Sequence, residues 1–401
     1  MEDSGAYLRV GVTLYKKVDR PLMSGDTVEL LVPWNYETLR QDHSKDFISR
    51  IEKYDGFCTI PSHTDYRREV GKFLNKYEPT PYAPAPGEFP KITAFLAHIF
   101  GDQVEFGLDY LQLLYLKPLQ RLPILLLVSR ERNTGKTTFL NFLKAIFGGN
   151  MTFNTNEDFQ SQFNSDWANK LLVGVDEVLL NRREDSERLK NLNTAKSYKI
   201  EAKGKDRSEI EFFAKFVLCS NNENNPVIIE PGETRYWVLK IPALEKDNNN
   251  LLDEMKKEIP YLLQHLTTRQ LTTRQESRLW FRADLYFTPA LHRIINHNRG
   301  KVENEMLIVV CDILLQLRED TYIFCVSDMA AMLELRQLKA EHSQIRKVLQ
   351  DNWNLSPAAN TVRYTSHRFT YDGDIFSSSR TGRVYTVTKS QIDKMLSDCN
   401  D

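Results

Sequence analysis

The chain has few of the features that define several classes of protein. Its five cysteines form no Cys-x-x-Cys pair, so we expect neither a disulfide scaffold nor a paired zinc motif. No apolar run approaches the roughly 18 residues that a membrane-spanning helix needs, and the polar start does not resemble a signal peptide. The sequence therefore predicts a protein of a reducing compartment, the cytoplasm, without a membrane partner.

The chain also has no excess of positive or negative charge. The 401 residues carry 53 Lys and Arg against 54 Asp and Glu, which gives a formal net charge of -1. A surface that binds nucleic acid must therefore be a local patch. Hydrophobic residues make up 41% and charged residues 27%, which is typical of a globular chain of two or three domains.

A proline-rich segment, residues 79–86, marks the clearest predicted domain boundary, because such segments are stiff and extended. Before it, short β-like runs alternate with charged helical stretches. After it, Ile92, Phe95, Leu96 and Ile99 have the spacing of one buried helix face. The predicted divisions are an α+β region over residues 1–78, a linker and helical segment over 79–121, a central domain over 122–245, a helical connector over 246–300 and a C-terminal domain over 301–401.

The C-terminal domain is predicted to be a winged helix, because three helical patterns precede two β-like runs. The helices are expected at residues 302–317, 327–334 and 341–352, with Ser327 as an N-cap, and the wing strands at 361–369 and 383–388. The wing is basic, with Arg363, Arg368, Arg380, Arg383 and Lys389. Such a domain contacts duplex backbone or serves as a protein interaction module, and the sequence favours neither.

The strongest motif is Gly135-Lys136-Thr137, which follows an apolar strand pattern and opens a helical one. This is the arrangement of a phosphate-binding loop, in which backbone N–H groups face the phosphates. Lys136 is expected to contact the β- and γ-phosphates of ATP and Thr137 to ligate Mg²⁺. The residues predicted to contact the nucleotide are Asn133, Thr134, Gly135, Lys136, Thr137 and Thr138. Arg130 occupies a position where the full motif has glycine, so its side chain must point away from the nucleotide.

Two further apolar strand patterns end in polar side chains. Residues 171–175 lead into Asp176 and Glu177, and a later run leads into Asn221. Because ligands bind at the carboxyl ends of parallel strands, we expect these side chains near the nucleotide. Asp176 is predicted to hold Mg²⁺, Glu177 to orient the attacking water, and Asn221 to contact the γ-phosphate or that water. The alternation of strands and helices predicts an α/β fold with a parallel sheet.

Together these motifs resemble those of the superfamily 3 helicases, AAA+ motors of viral, phage and plasmid replication. The resemblance covers residues 122–242 and is closest to the helicase part of primase-helicases from phages and mobile elements. It implies a homo-oligomeric ring, a hexamer, that hydrolyses ATP with Mg²⁺ in the bacterial or phage-infected host cytoplasm. The implied partners are single-stranded or forked DNA and a primase domain or other replication proteins.

The resemblance also implies two sites outside the P-loop. A hairpin between the second and third motifs would grip DNA through Lys199, Lys203, Lys205 and Arg207, although an exposed charged hairpin is the alternative. Arg235 resembles the arginine that a neighbouring subunit offers to the γ-phosphate, and a structural ion pair is its alternative.

Two other functions are open at this stage. An ATP-regulated initiator or loader would bind DNA and use ATP to assemble, with little unwinding. A small-molecule P-loop kinase would have no need for the Lys203-Gly204-Lys205 hairpin.

Overall fold

A computed structural model describes residues 4–21, 27–159, 167–180, 182–200, 208–230, 232–370 and 373–397. Across these ranges the helices are too short or too polar to cross a membrane. The elements fall into an N-terminal α+β part, a helix-flanked parallel sheet, and a C-terminal part of mixed helices and strands.

The N-terminal part contains a four-stranded sheet in the order β3-β2-β1-β4 and a smaller sheet in the order β5-β7-β6. Asn35 and Ser44 cap its two helices, since their side-chain oxygens accept hydrogen bonds from backbone N–H groups of the first turn. The elements are β1 (Tyr7–Val10), β2 (Thr13–Pro21), β3 (Thr27–Trp34), α1 (Tyr36–Asp42), α2 (Lys45–Ser49), β4 (Glu52–Tyr54), β5 (Gly56–Cys58), β6 (Glu69–Val70) and β7 (Phe73–Asn75).

The helical segment that follows packs against the central sheet. The predicted helix face, including Ile92 and Phe95, is buried. The proline-rich segment lies along the same core, where the Ala85 amide donates to the Pro260 carbonyl at 3.0 Å. The helices are α3 (Pro90–Phe100) and α4 (Val104–Leu116).

The central sheet has five parallel strands in the order β14-β8-β13-β10-β9. Its strands are almost entirely buried, because helices cover both faces; α3, α4, α5 and α7 share a core with one face, and α8 packs on the other. The elements are β8 (Ile124–Val128), α5 (Lys136–Phe147), β9 (Met151–Asn154), β10 (Leu172–Val175), α6 (Arg183–Thr194), β11 (Ser197–Ile200), β12 (Ser208–Glu211), β13 (Lys215–Ser220), β14 (Tyr236–Lys240), α7 (Leu251–Thr268) and α8 (Pro289–Asn298). The predicted α/β fold with a parallel sheet is confirmed.

The C-terminal part has the element order helix, strand, helix, helix, hairpin, strand, helix. Its elements are α9 (Lys301–Leu317), β15 (Thr321–Phe324), α10 (Val326–Leu335), α11 (His342–Lys347) with a π turn over Val348–Asn352, β16 (Val362–Phe369), β17 (Ile375–Gly382), β18 (Tyr385–Thr388) and α12 (Lys389–Ser397). The three helices and two strands from which a winged helix was predicted are present, but β15 separates the first two helices and α12 follows the last strand. The winged-helix assignment stays a prediction.

Two details of that prediction are wrong. The predicted hairpin joined residues 361–369 to 383–388, but β16 pairs with β17, and β18 pairs with β15. The serine-rich sequence of β17 has low strand propensity, so pairing rather than composition decides its conformation. The second helix begins at Val326 with Cys325 in the cap position, two residues before the predicted cap at Ser327.

Lys215, at the start of β13, is a buried cation that donates to the carbonyl oxygens of Pro118 and Phe213. Burial, and to a smaller extent the nearby Arg121, lower its pKa to about 7. Because the unfolded chain keeps this proton up to a higher pH, the folded state binds fewer protons between pH 7 and the ordinary lysine pKa.

We therefore expect the free energy of unfolding to rise with pH above 7, by up to about 1.4 kcal/mol per pH unit from this group. Lys215→Met removes this contribution, so its unfolding free energy depends less on pH over the same interval. Urea denaturation at several pH values between 6.5 and 9 measures the difference. If the unfolding free energies of the two proteins changed with pH in parallel, Lys215 would be protonated in the folded state and the prediction would be wrong.

Candidate nucleotide site

The loop between β8 and α5 is shaped by two residues with left-handed backbone. Asn133 has φ +56° and Gly135 has φ +81°. A Cβ added at Gly135 would lie 3.0 Å from the ring of Phe95, so both the backbone and the available space require glycine there. The loop then turns directly into α5, whose first amides have no acceptor within the helix.

Segments distant in sequence hold this loop in place. The His98 ring on α3 donates from Nε2 to the Thr134 carbonyl at 3.0 Å. After β14, the Leu244 amide donates to the Asn133 carbonyl at 2.9 Å, and the Asn133 side chain donates to Asp247. The loop conformation is therefore supported on both sides before any ligand is considered.

Lys136 and Thr137 lie at the first turn of α5 and point to the carboxyl edge of the sheet. Lys136 Nζ donates to Thr134 Oγ1 at 3.0 Å, and burial lowers the pKa of this lysine. Thr137 Oγ1 donates to Asp176 Oδ2 at 2.8 Å. The first and second sequence motifs therefore meet through a direct hydrogen bond.

Glu177 and Asn221 lie side by side because β10 and β13 are neighbours in parallel register. Asn221 Nδ2 is 3.5 Å from Glu177 Oε1. Glu177 has φ +58°, an unusual conformation for a residue with a side chain and one that clusters at functional sites. Asn156 stabilises this turn, since its Nδ2 donates to the Glu177 carbonyl at 3.2 Å and its Oδ1 accepts from the Leu179 amide at 2.9 Å.

These side chains line one cleft of about 380 Å³. Every residue predicted to contact ATP or Mg²⁺ of its own subunit lies on its wall, together with two that the sequence did not single out, Glu131 and Arg132. The predicted members are Asn133, Thr134, Gly135, Lys136, Thr137, Thr138, Asp176, Glu177 and Asn221.

A hydroxyl and a carboxylate oxygen at one point of the cleft are the hard ligands that Mg²⁺ prefers in proteins. Thr137 and Asp176 supply them. Among the described residues, no group of three or more His, Cys, Asp or Glu side chains could enclose a metal. Mg²⁺ usually takes one or two protein ligands and completes its shell with phosphates and water, so Thr137 and Asp176 are the residues that would hold it.

Arg130, where the full motif has glycine, points away from the cleft. Its backbone amide donates to Glu223 Oε1 at 2.9 Å, and its exposed side chain lies 3.9 Å from Glu223 Oε2. Glu223 is buried and also pairs with Lys240 at 3.3 Å and Arg293 at 3.1 Å. Burial alone would raise the pKa of Glu223, but its hydrogen-bond and cationic partners outweigh burial and lower it.

Arg235 does not line the cleft. It precedes β14, and its carbonyl accepts from the Ile124 amide at the opposite end of the sheet, about 13 Å along the strand from the P-loop. Nη1 of Arg235 donates to both Glu233 oxygens at 2.8 Å. Glu233 lies 3.6 Å from the buried Lys190. The structural ion pair considered from the sequence is therefore present within the chain.

The predicted DNA-gripping hairpin is described only in its stem. β11 and β12 pair in antiparallel register, from Ser197 with Glu211 to Ile200 with Ser208. Lys199 lies on β11, and nothing is described of its side chain. Lys203, Lys205 and Arg207 lie outside the described residues, so their role stays a prediction.

The fold and the cleft define a P-loop-like α/β protein. Residues 127–235 match a family of unknown function, DUF5906. Over 211 residues, the chain is 30% identical to the DNA primase-polymerase of Nitratiruptor phage NrS-1, an alignment that covers 50% of this chain and 29% of that protein. The chain therefore spans less than a third of that relative.

Solved structures agree on the fold. The A form of the apo C-terminal region of NrS-1 has a TM-score of 0.58 and 18% identity, covering 87% of this chain and 84% of that one. Another apo structure of this region has a TM-score of 0.56 and 17% identity, with the same coverage. These structures show a similar fold. The sequence similarity is to a phage protein, as the resemblance implies, and the primase-helicase and superfamily 3 assignments stay predictions.

Glu223 and Arg130 allow a direct test of what the P-loop requires. Arg130→Ala should leave nucleotide affinity nearly unchanged, because its exposed side chain is outside the cleft and such ion pairs contribute little. Glu223→Ala should weaken it, because the first amide of the loop loses its acceptor, and should lower the unfolding free energy by about 3 kcal/mol. Titration with a fluorescent ATP analogue and urea denaturation measure both effects. A strong loss of affinity in Arg130→Ala alone would contradict this account.

Proposed function

We propose that this chain is an ATP-hydrolysing motor that moves along DNA in phage or mobile-element replication, working as a ring oligomer of the superfamily 3 type. The observation that carries the proposal is the 2.8 Å contact between Thr137 and Asp176, with Lys136, Glu177 and Asn221 around the same cleft. The similarity to a phage DNA primase-polymerase supports the choice of DNA as partner and of replication as the process.

The cleft residues divide the work of phosphoryl transfer. The amides at the start of α5 bind the phosphates, and Lys136 exchanges its bond to Thr134 for the β- and γ-phosphates. A Mg²⁺ ion held by Thr137 and Asp176 would neutralise charge on the phosphate oxygens. Glu177 accepts a hydrogen bond from the water that attacks the γ-phosphorus, which leaves ADP and inorganic phosphate.

Asn221 connects the reaction to the rest of the sheet. Its amide nitrogen is 3.5 Å from Glu177 Oε1 in the same cleft, so this side chain can exchange that contact for the γ-phosphate or the attacking water. The strand that carries Asn221, β13, lies directly between β8 and β10. A change at the phosphate is therefore communicated to both neighbouring strands.

ATP hydrolysis with and without single-stranded DNA tests this function. We expect turnover that the strand stimulates and that Lys136→Ala abolishes, because the mutant lacks the cation for the β- and γ-phosphates. A coupled assay for released phosphate measures the rate, and binding of the DNA alone serves as a control for folding. Turnover that ignores DNA, with assembly that requires nucleotide, would favour the initiator or loader instead. No turnover would contradict the motor.

Arg235 is proposed to complete the site of a neighbouring subunit. Its position at the edge opposite its own P-loop fits action in trans, and Glu233 holds one side of the guanidinium while Nη2 has no bond to another described residue. An arginine in this role stabilises transition-state charge and contributes roughly 10³–10⁵ in rate in related enzymes.

Subunit mixing tests this arrangement. Lys136→Ala and Arg235→Ala should each be inactive alone, but a mixed ring places an intact P-loop beside an intact arginine at about one interface in four. An equimolar mixture should therefore recover roughly a quarter of the original rate of phosphate release. Recovery no greater than the sum of the two separate proteins, or full activity in Arg235→Ala, would contradict the role in trans.

A further inference from the structure

Two arginines of the β16–β17 hairpin share one buried carboxylate, and the side chain of Arg380 stays 43% exposed. Arg368 Nη2 and Arg380 Nη1 lie 2.7 Å and 3.3 Å from Asp328 Oδ1. Asp328 is fully buried and also accepts from the hydroxyls of Tyr364 and Ser366. These contacts attach the hairpin to α10, so cations without a carboxylate partner are the better candidates for a DNA-binding surface in this part of the chain.

Such cations face a cleft of about 420 Å³ between the start of α10, α11 and β18. Along α11 and the π turn, the buried side chains Ile345 and Leu349 fix the helix to the C-terminal core. The row formed by His342, Arg346 and Gln350 is spaced four residues apart, is exposed, and lines the cleft. One helix row is thus presented to solvent beside a concave surface.

Arg383 approaches the same cleft from the other side. Its Nε donates to the Ala358 carbonyl at 2.8 Å, which fixes the direction of the guanidinium. A Cβ added at Gly382 would lie 2.9 Å from Cys325 Sγ, so the base of the hairpin borders the cleft. Arg346 makes no hydrogen bond or ion pair with the residues that the structure describes, and no Asp or Glu is found among the described residues that line this cleft. Two guanidinium groups therefore face a space without a compensating anion.

We propose that this cleft binds the phosphate backbone of duplex DNA through Arg346 and Arg383. The planar fork of a guanidinium matches the geometry of a phosphate, and neither arginine has a carboxylate partner here. Duplex is favoured over single strand because an exposed helix row beside a projecting hairpin fits a groove and its flanking backbone. The inference rests on the proposed function for the choice of DNA, but it does not depend on ATP hydrolysis.

The same part of the chain supplies a matched control. A second cleft of about 400 Å³ is lined by Arg318 and Lys389 but also by the acids Glu319, Asp320 and Asp393. Lys389, which the sequence analysis grouped with the basic wing, begins α12 and lies outside the β16–β17 hairpin. The double variant Arg318→Gln/Lys389→Gln removes two cations, as does Arg346→Gln/Arg383→Gln, but from a surface that also carries three acids. Neither variant creates a charge or a large change in volume.

The experiment is the binding of a fluorescently labelled 20-base-pair duplex to the full chain without nucleotide, over 50–200 mM KCl. The variant Arg346→Gln/Arg383→Gln should bind at least about 10-fold more weakly at 100 mM salt and lose about 2 from the slope of log affinity against log salt. The loss should be the same for duplexes of different sequence, because phosphate contacts carry no base information. The control variant should keep the affinity and slope of the parent protein.

Three results would overturn the proposal. Unchanged duplex affinity in the cleft variant would exclude the site, and an equal loss in the control would show an effect of total charge. A loss confined to single-stranded DNA would exclude duplex as the ligand. Equal melting temperatures for the parent and both variants establish that folding does not cause the difference. A failed ATPase assay alongside a positive result here would contradict the motor and leave the duplex site standing.

Discussion

The candidate site depends on the parallel register of three neighbouring strands. β13 lies between β8 and β10, so all three end at one edge of the sheet. The loops that follow parallel strands lie together at the carboxyl edge of the sheet, and in this chain those loops carry the P-loop, Asp176 and Asn221. A shift in the pairing of β10 with β13 would separate Asp176 from Thr137 and disassemble the site.

The register alone does not shape the P-loop. The loop is held from outside the sheet by α3, by the segment after β14 and by buried Glu223. The Glu223 carboxylate accepts a hydrogen bond from the first amide of the loop, that of Arg130. Because the backbone at this position has an ordinary negative φ, a residue other than glycine can occupy it. The substitution at Arg130 is therefore compatible with an intact cradle, because only the backbone of that residue takes part.

The sequence predicts the residues that line the cleft better than it predicts the residues that hold them in position. The three motifs, the parallel sheet and the face formed by Ile92 and Phe95 follow from local patterns, because apolar runs and helical spacing report burial directly. His98, Asn156 and Glu223 act through long-range contacts that leave no periodic signal. For Glu223, the only indication in the sequence is its position two residues after Asn221. β9 and β17 were missed because neither stands out by composition, and β17 forms through pairing with β16. The ATP, Mg²⁺ and DNA assignments stay predictions.

If Arg235 acts in a neighbouring subunit as proposed, its bond to Glu233 affects how subunits would recognise one another. A free arginine side chain gives up conformational entropy worth roughly 2 kcal/mol when it becomes fixed at an interface. Here Glu233, backed by Lys190, has fixed it before any neighbour arrives. The guanidinium is rigid in the isolated subunit, so a partner whose surface is even slightly misplaced gains nothing from side-chain adjustment. Under the proposed role in trans, this rigidity would favour one geometry of assembly over others.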